Sequence, residues 1–310
     1  MSQAETNSVH IKPSSPLVSE SGAAKSRWME YVELTKPKLS TMSIITALLG
    51  YFAARPPQDI AVFLSLVAGT TLTAAGSAIL NQWWERDEDN QMMRTRNRPL
   101  PRGAIGMPTA LWMGLIFSTG GVAVLCLGTH PVVGLLALAT MLIYITLYTP
   151  LKKVTPLATE IGALPGAIPP LMGWMAAEGS VSALGWIIFG VLFTWQMPHF
   201  MAISWIYRED YRKGGFRVLA LEKGGAKKIS WSALLYTLLL IVITVLPIFL
   251  ALTGWIYAIG STLVSALMGW RAWQFFRARD KNKPARNLFT ASIVHLPLLF
   301  VILAIDRWIF

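Results

Sequence analysis

Asn81, Glu85 and Asp89 stand four residues apart in the stretch NQWWERDEDNQMMRTRNRPL. At about 3.6 residues per turn, that spacing puts all three on one helical face. Glu88 lies near the same face and Asp87 points away from it. Oxygen-bearing side chains in a row suit a hard cation, magnesium above all, which prefers carboxylates, water and substrate phosphates to a closed protein cage. Arg94 and Arg98 follow, again four apart. A guanidinium grips phosphate oxygens in a two-point fork. A metal-bridged diphosphate is the ligand that fits this pairing of acids and bases. The plainer alternative is a solvated loop whose charges neutralise one another. Asn81 and Glu85 favour the first reading, because they lie within or beside an apolar run, where polar groups mark function.

Further candidates repeat the pattern. In YREDYRKGGFR, Glu209 and Asp210 also follow an apolar run directly, ringed by Arg208, Arg212, Lys213 and Arg217. Gly214 and Gly215 read as a turn. Two acidic stretches at matching depth suit metal ions on opposite sides of one diphosphate; the alternative is an ordinary basic loop. In LYTPLKK, Tyr148 and Lys152 are four apart at a helix end. Lys152 is placed either to neutralise a leaving group or to snorkel at a membrane border. His199, in WQMPHF, and His295, in SIVHLPL, each lie about seven residues from the end of an apolar run, roughly 10 Å deep. Two histidines at one depth suit a planar ligand or its carboxylates; otherwise each bonds a neighbouring helix. Trp195, beside His199, offers a ring face to a passing carbocation. Trp205 fits an interfacial belt, and His10 and His130 carry no assigned role.

These residues need helices in a membrane to position them. The 310-residue chain is 54% hydrophobic and 14% charged, with mean hydropathy +0.50. Soluble domains carry about 25% charged residues. Nine apolar runs are long enough to span a bilayer, at 38–54, 60–82, 107–128, 131–149, 157–177, 183–206, 230–252, 254–276 and 288–308. Eight is the alternative count, because Pro165, Pro169 and Pro170 interrupt 157–177. With the N-terminus inside, only Arg55 and Arg307 of the 27 Lys and Arg fall outside the inner segments and their borders. That is the positive-inside pattern, and it accounts for the net charge of +11 without nucleic acid. The expected fold is therefore all-α and polytopic: a polar, disordered tail at 1–27 and one membrane domain at 28–310. The tail shows neither a signal-peptide core nor a transit signature. Cys126 is the one cysteine, so no intramolecular disulfide forms.

Six segments, taken in order, carry a resemblance. They are Asn81-x-x-x-Glu85-x-x-x-Asp89 with Arg94-Thr95-x-Asn97-Arg98-Pro99-Leu100, then YTPLKK, GAIPPLMGW, WQMPHF, SWIYREDY and HLPL. Together, from about residue 30 to 300, they resemble the UbiA-type membrane prenyltransferases, and within them the branch that farnesylates haem. The resemblance implies nine transmembrane helices around a central cavity. It implies farnesyl diphosphate and haem B as substrates, haem O and pyrophosphate as products, and magnesium as cofactor. By the same resemblance, Asn81, Glu85, Asp89 and Asp210 hold magnesium. Arg86, Arg94, Arg98, Tyr148 and Lys152 contact the diphosphate, and His199 and His295 sit on the haem side. The expected location is the cell inner membrane with the site facing the cytoplasm. The enzyme that oxidises haem O to haem A is a partner by pathway logic. Two departures from the wider family stand out. Many relatives carry Asp where this chain has Gln82 and Glu85, and Asp210 is followed four residues on by Gly214 rather than a second aspartate. Two other readings compete: a relative with another prenyl acceptor, such as a quinone precursor or a chlorophyllide, and a transporter of an anionic metabolite.

Overall fold

The computed structural model describes residues 26–54 and 59–309. Most of the expected tail, with His10, and the outer-loop Arg55 lie outside the described residues.

Among the described residues every regular element is helical. In chain order they are α1 (Arg27–Leu34), α2 (Pro37–Ala54), α3 (Ile60–Trp84), α4 (Arg86–Gln91), α5 (Met107–Gly128) and α6 (Pro131–Leu142). After α6 come a π-helical turn at Ile143–Tyr148 and α7 (Thr149–Leu151). There follow α8 (Ala158–Ala167), α9 (Pro169–Glu178), α10 (Ala183–Ile206), α11 (Arg208–Lys213), α12 (Gly225–Phe249), α13 (Trp255–Arg277) and α14 (Asn282–Ile309). Among the described residues six helices are long and apolar enough to cross a membrane: α3, α5, the continuous stretch Pro131–Leu151, α10, α12 and α14. The protein is a multi-pass membrane protein.

The expected runs 38–54 and 254–276 are helical, as α2 and α13. The run 157–177 is not one helix but two, α8 and α9, which meet at Ile168. Pro169 and Pro170 supply no N–H to the preceding turn, so the helical ladder stops there. Such a break is tolerated at membrane depth only when enclosed by protein. Here residues 169 to 174 are all buried.

Small residues set the helix spacing. A Cβ added at Gly50 of α2 would lie 2.0 Å from the Pro170 carbonyl oxygen, and one at Gly173 of α9 would lie 1.8 Å from that of Ala47. The two backbones are therefore in contact, as in membrane helix pairs built on glycine. The α3–α5 pair is made the same way at Gly76 and Gly121. The largest apolar cluster gathers α10, α12, α13 and α14 around Met197, Leu240, Met268, Phe275 and Leu288. Leu263, Leu267 and Trp270 of α13 face outward, as lipid-facing side chains do.

At the far end from the acidic loops, the buried Asp306 carboxylate accepts from the Gly254 and Tyr257 N–H groups, at 2.7 and 2.9 Å. An acid from α14 thus caps the first turn of α13, where the helix dipole favours negative charge. At the acidic end, Arg102 holds Glu30 of α1 through two contacts of 2.9 and 2.7 Å. Gln82 donates to the Leu34 carbonyl at 2.6 Å. These bonds draw α1 across the end of α3 and bring the α1–α2 turn to the acidic residues.

Gly173→Val places a branched side chain against the α2 backbone. It should cost about 1–3 kcal/mol or more of stability, read as a lowered unfolding midpoint in detergent. An unchanged midpoint would mean that α2 and α9 are not in backbone contact.

Candidate active site

The helical ladder runs through the end of α3 into α4. The Glu85 N–H donates to Asn81 O at 3.0 Å and the Asp89 N–H to Glu85 O at 2.8 Å. Asn81, Glu85 and Asp89 consequently share one face, and each is 5% exposed or less. Three buried polar groups at a membrane rim need partners. Each finds one beyond its own helix.

The Asn81 amide donates to Glu85 Oε2 at 3.0 Å and to Thr149 Oγ1 at 3.1 Å, and its oxygen accepts from Lys36 Nζ at 2.7 Å. Glu85 is ion-paired with Lys152, and Glu88 with Lys153. Asp89 Oδ2 accepts from Arg98 Nη1 at 2.6 Å, and its carbonyl accepts from Thr95 Oγ1 at 2.9 Å. Burial, reinforced by the Arg98 charge, lowers the Lys36 ammonium to a pKa of about 7. Burial also works against the Lys152 ammonium, but Glu85 beside it more than offsets this and the pKa stands above the usual lysine value.

Two further loops close on this row. The Arg217 N–H donates to Lys152 O at 2.7 Å, and its guanidinium donates to Val154 O at 3.1 Å. The Phe216 and Tyr148 rings lie 5.2 and 4.7 Å from Lys152 Nζ. Gly162 makes room for Tyr148, since a Cβ there would lie 2.5 Å from the ring. Arg94 stands over the Tyr207 ring at 5.4 Å, and α11 packs against α4. The two acidic segments thus share one rim. Asp210 is half-buried and makes no side-chain hydrogen bond or ion pair among the described residues, while Glu209 pairs with Arg212.

The other expected residues are placed differently. Arg208 donates to Trp205 O at 2.7 Å and Asn282 Oδ1 at 3.3 Å and lies on the Trp205 ring, so it fastens the end of α10. Arg86 and Lys213 are exposed on the rim. His199 and Trp195 stack together on α10 and bond Ser292 of α14. His295 is buried toward α13, 3.5 Å from Ser265 Oγ.

Lys36 is the site residue that the sequence did not disclose. It lies in TKPKLS and counts there as one more topological charge. In the structure it stands out by a left-handed φ of +48°, unusual for a residue with a Cβ and typical of strained functional positions.

Among the described residues no three His, Cys, Asp or Glu side chains close on one point. The oxygen donors instead hold protein cations. Their chemistry, one amide oxygen and buried carboxylates, nonetheless fits a hard divalent ion.

Comparison with known proteins gives a consistent result. The UbiA prenyltransferase family matches residues 43–294. A protoheme IX farnesyltransferase of Opitutus terrae is 42% identical over 290 residues, covering 94% of this chain and 98% of that protein. The human mitochondrial protoheme IX farnesyltransferase is 36% identical over 87% of this chain and 60% of its own length. A digeranylgeranylglyceryl phosphate synthase superposes with a TM-score of 0.79 at 18% identity, over 92% of this chain and 99% of that one. A UbiA homologue of Archaeoglobus fulgidus bound to GPP and Mg2+ superposes with a TM-score of 0.63 at 15% identity, over 88% and 99%.

Lys152→Met would leave Glu85 buried without its cation and should cost about 3 kcal/mol. Adding Glu85→Gln should restore much of that loss. Thermal unfolding of the two single variants and the double variant in detergent measures the coupling, and simple additivity would refute the ion pair.

Proposed function

We propose that this chain, which belongs to the UbiA prenyltransferase family, transfers a farnesyl group from farnesyl diphosphate to a vinyl group of haem B. Water is added in the process, and haem O and pyrophosphate are the products. The observation that carries this reading is the buried row Asn81, Glu85 and Asp89, tied to Lys36, Lys152 and Arg98 from three other segments. Alignment with protoheme IX farnesyltransferases along nearly the whole chain supplies the acceptor.

Asn81, Glu85, Asp89 and Asp210 are the residues that would hold magnesium. Bound there, the ion would neutralise diphosphate charge as the allylic C–O bond breaks. Lys36, Lys152 and Arg98 set three positive groups where that charge gathers. Fixed groups in a water-poor site stabilise developing charge without reorganising, and no other catalytic effect open to such an enzyme is as strong. Arg86, Arg94 and Tyr148 complete the diphosphate contacts, and Arg208 and Lys213 add positive charge along the rim. The diphosphate leaves with the bonding electron pair. The vinyl group supplies the electrons of the new C–C bond to the farnesyl C1. The resulting cation beside the porphyrin is captured by water, which loses one proton. Trp195 offers a ring face to cationic species on this path. An apolar interior is needed, because bulk water would capture the allylic cation before the vinyl group did.

The reading has a topology. With α8 and α9 counted as one broken crossing, the chain crosses nine times with its N-terminus inside. The site then faces the cytoplasm at the cell inner membrane, where the inner loops gather the positive charge. The haem A-forming enzyme is the protein partner this product suggests.

The test is turnover by the purified protein in detergent with haem B, farnesyl diphosphate and magnesium. A heavier, later-eluting haem bearing one farnesyl group and one added water, lost on chelation, is expected. Product with another prenyl acceptor but none with haem would overturn the assignment. Asp89→Ala should abolish transfer while leaving haem binding intact, and should lower stability by stranding Arg98. Lys36→Met should lower kcat by about 10²-fold with haem affinity unchanged, and Lys36→Arg should lose less. Near-normal kcat in Lys36→Met would remove Lys36 from the diphosphate site.

A further inference from the structure

The sequence puts His199 and His295 at one depth, but their surroundings differ. His199 Nδ1 lies 2.8 Å from Ser292 Oγ. The Ser292 hydroxyl spends its own proton on the Phe289 carbonyl, at 2.6 Å. Ser292 must therefore accept from His199, which places a proton on Nδ1 and, in the neutral ring, leaves the lone pair on Nε2. The ring is held in orientation as well as tautomer. Trp195 stacks on it at 5.0 Å and 22°, and Phe289 lies against it at 5.1 Å. Trp195 is fixed in turn by donating Nε1 to the Ser292 carbonyl at 2.9 Å.

Nε2 makes no hydrogen bond among the described residues, and it is not sealed in the protein interior. His295 is the contrast. It is 2% exposed, its Nδ1 is enclosed without a partner, and its Nε2 turns toward Ser265. His295 is enclosed beside a cavity of about 160 Å³ that it lines with Leu263, Leu267 and Leu298; His199 is an imidazole fixed in orientation with its second nitrogen unengaged.

We propose that His199 Nε2 ligates the iron of the haem acceptor and so positions the porphyrin for prenyl transfer. The proposal rests on the acceptor being a haem. A histidine that binds a metal characteristically donates its other N–H to a second group that fixes tautomer and ring plane, as His199 does to Ser292. Neutral imidazole is also the commonest protein ligand of haem iron. Of the groups that face this ring, Trp195, Phe200 and Phe289 are aromatic and Ser292 is neutral, so no fixed charge competes for the nitrogen.

The experiment titrates the full-length protein in detergent with ferric haem B and with metal-free protoporphyrin IX, and follows absorption and electron paramagnetic resonance. The wild type should show a histidine-ligated iron and bind haem at least about tenfold more tightly than the metal-free ring, which is about 1.4 kcal/mol. His199→Ala should lose both features, and His199→Gly should recover the ligated spectrum when imidazole is added. His295→Ala should keep the iron ligation. Equal affinity of the wild type for haem and metal-free porphyrin would overturn the proposal, and that comparison depends on no variant folding. Unchanged ligation in His199→Ala, with haem O still formed by the wild type, would overturn it while leaving the farnesyl transfer reading intact. A wild type that neither binds nor farnesylates haem would remove the acceptor assignment, and this proposal with it.

Discussion

A charge at the edge of an apolar slab must find its counter-charge in another part of the chain. That constraint organises the acidic rim. Glu85 is matched from beyond α7 by Lys152, Asp89 by Arg98 of the following loop, Glu88 by Lys153, and Glu30 of α1 by Arg102. The remaining polar anchor, Asn81, is met by Lys36 from the α1–α2 turn. All of these contacts but Asp89–Arg98 join segments distant in sequence, so the pairs that neutralise the rim also fold it.

The same contacts poise the site for a ligand of mixed charge. A buried ion pair is close to break-even against its desolvation, but removing one partner is costly because the other is stranded. A charged ligand can therefore enter only by exchange, offering positive charge to the carboxylates and negative oxygen to the lysines and arginines. A diphosphate with its divalent counter-ion does both. The lowered affinity of Lys36 for its proton reflects its burial first and the Arg98 charge second. An arriving anion favours the protonated ammonium.

Local spacing exposed part of this arrangement and topology hid the rest. The shared face of Asn81, Glu85 and Asp89 follows from helical periodicity, and the ladder through Glu85 keeps it. Lys36 was invisible because the bond to Asn81 spans 45 residues, and nothing in a basic loop distinguishes a buried lysine from a topological one. The prolines at 169 and 170 announced a break in the fifth run, but not that Gly50 and Gly173 would lock the resulting half-helix to α2. Position along a helix was legible for His199 and His295. Azimuth was not, because it depends on which neighbour each helix packs against: α14 for the first, α13 for the second. Arg208 illustrates the same limit, since its contacts with Trp205 and Asn282 depend on where α14 begins.

Azimuth also divides WQMPHF into two parts with separate duties. Trp195 and His199 are four apart and share the face of α10 that meets Ser292. Gln196 is one residue, about 100°, further round. Its amide donates to Ala163 O at 3.2 Å and Leu192 O at 3.1 Å, and its oxygen occupies the space a Cβ at Gly166 would need. Gln196 therefore fastens α10 to α8 just before the Pro169 break. The polar residues of this short segment differ in role because they differ in rotation. One face ties the bundle to its interrupted helix, and the other holds an imidazole steady against α14. An amide buried in a span and a histidine three residues later look alike in a hydropathy profile. The helix geometry makes the first a brace and the second a presented group.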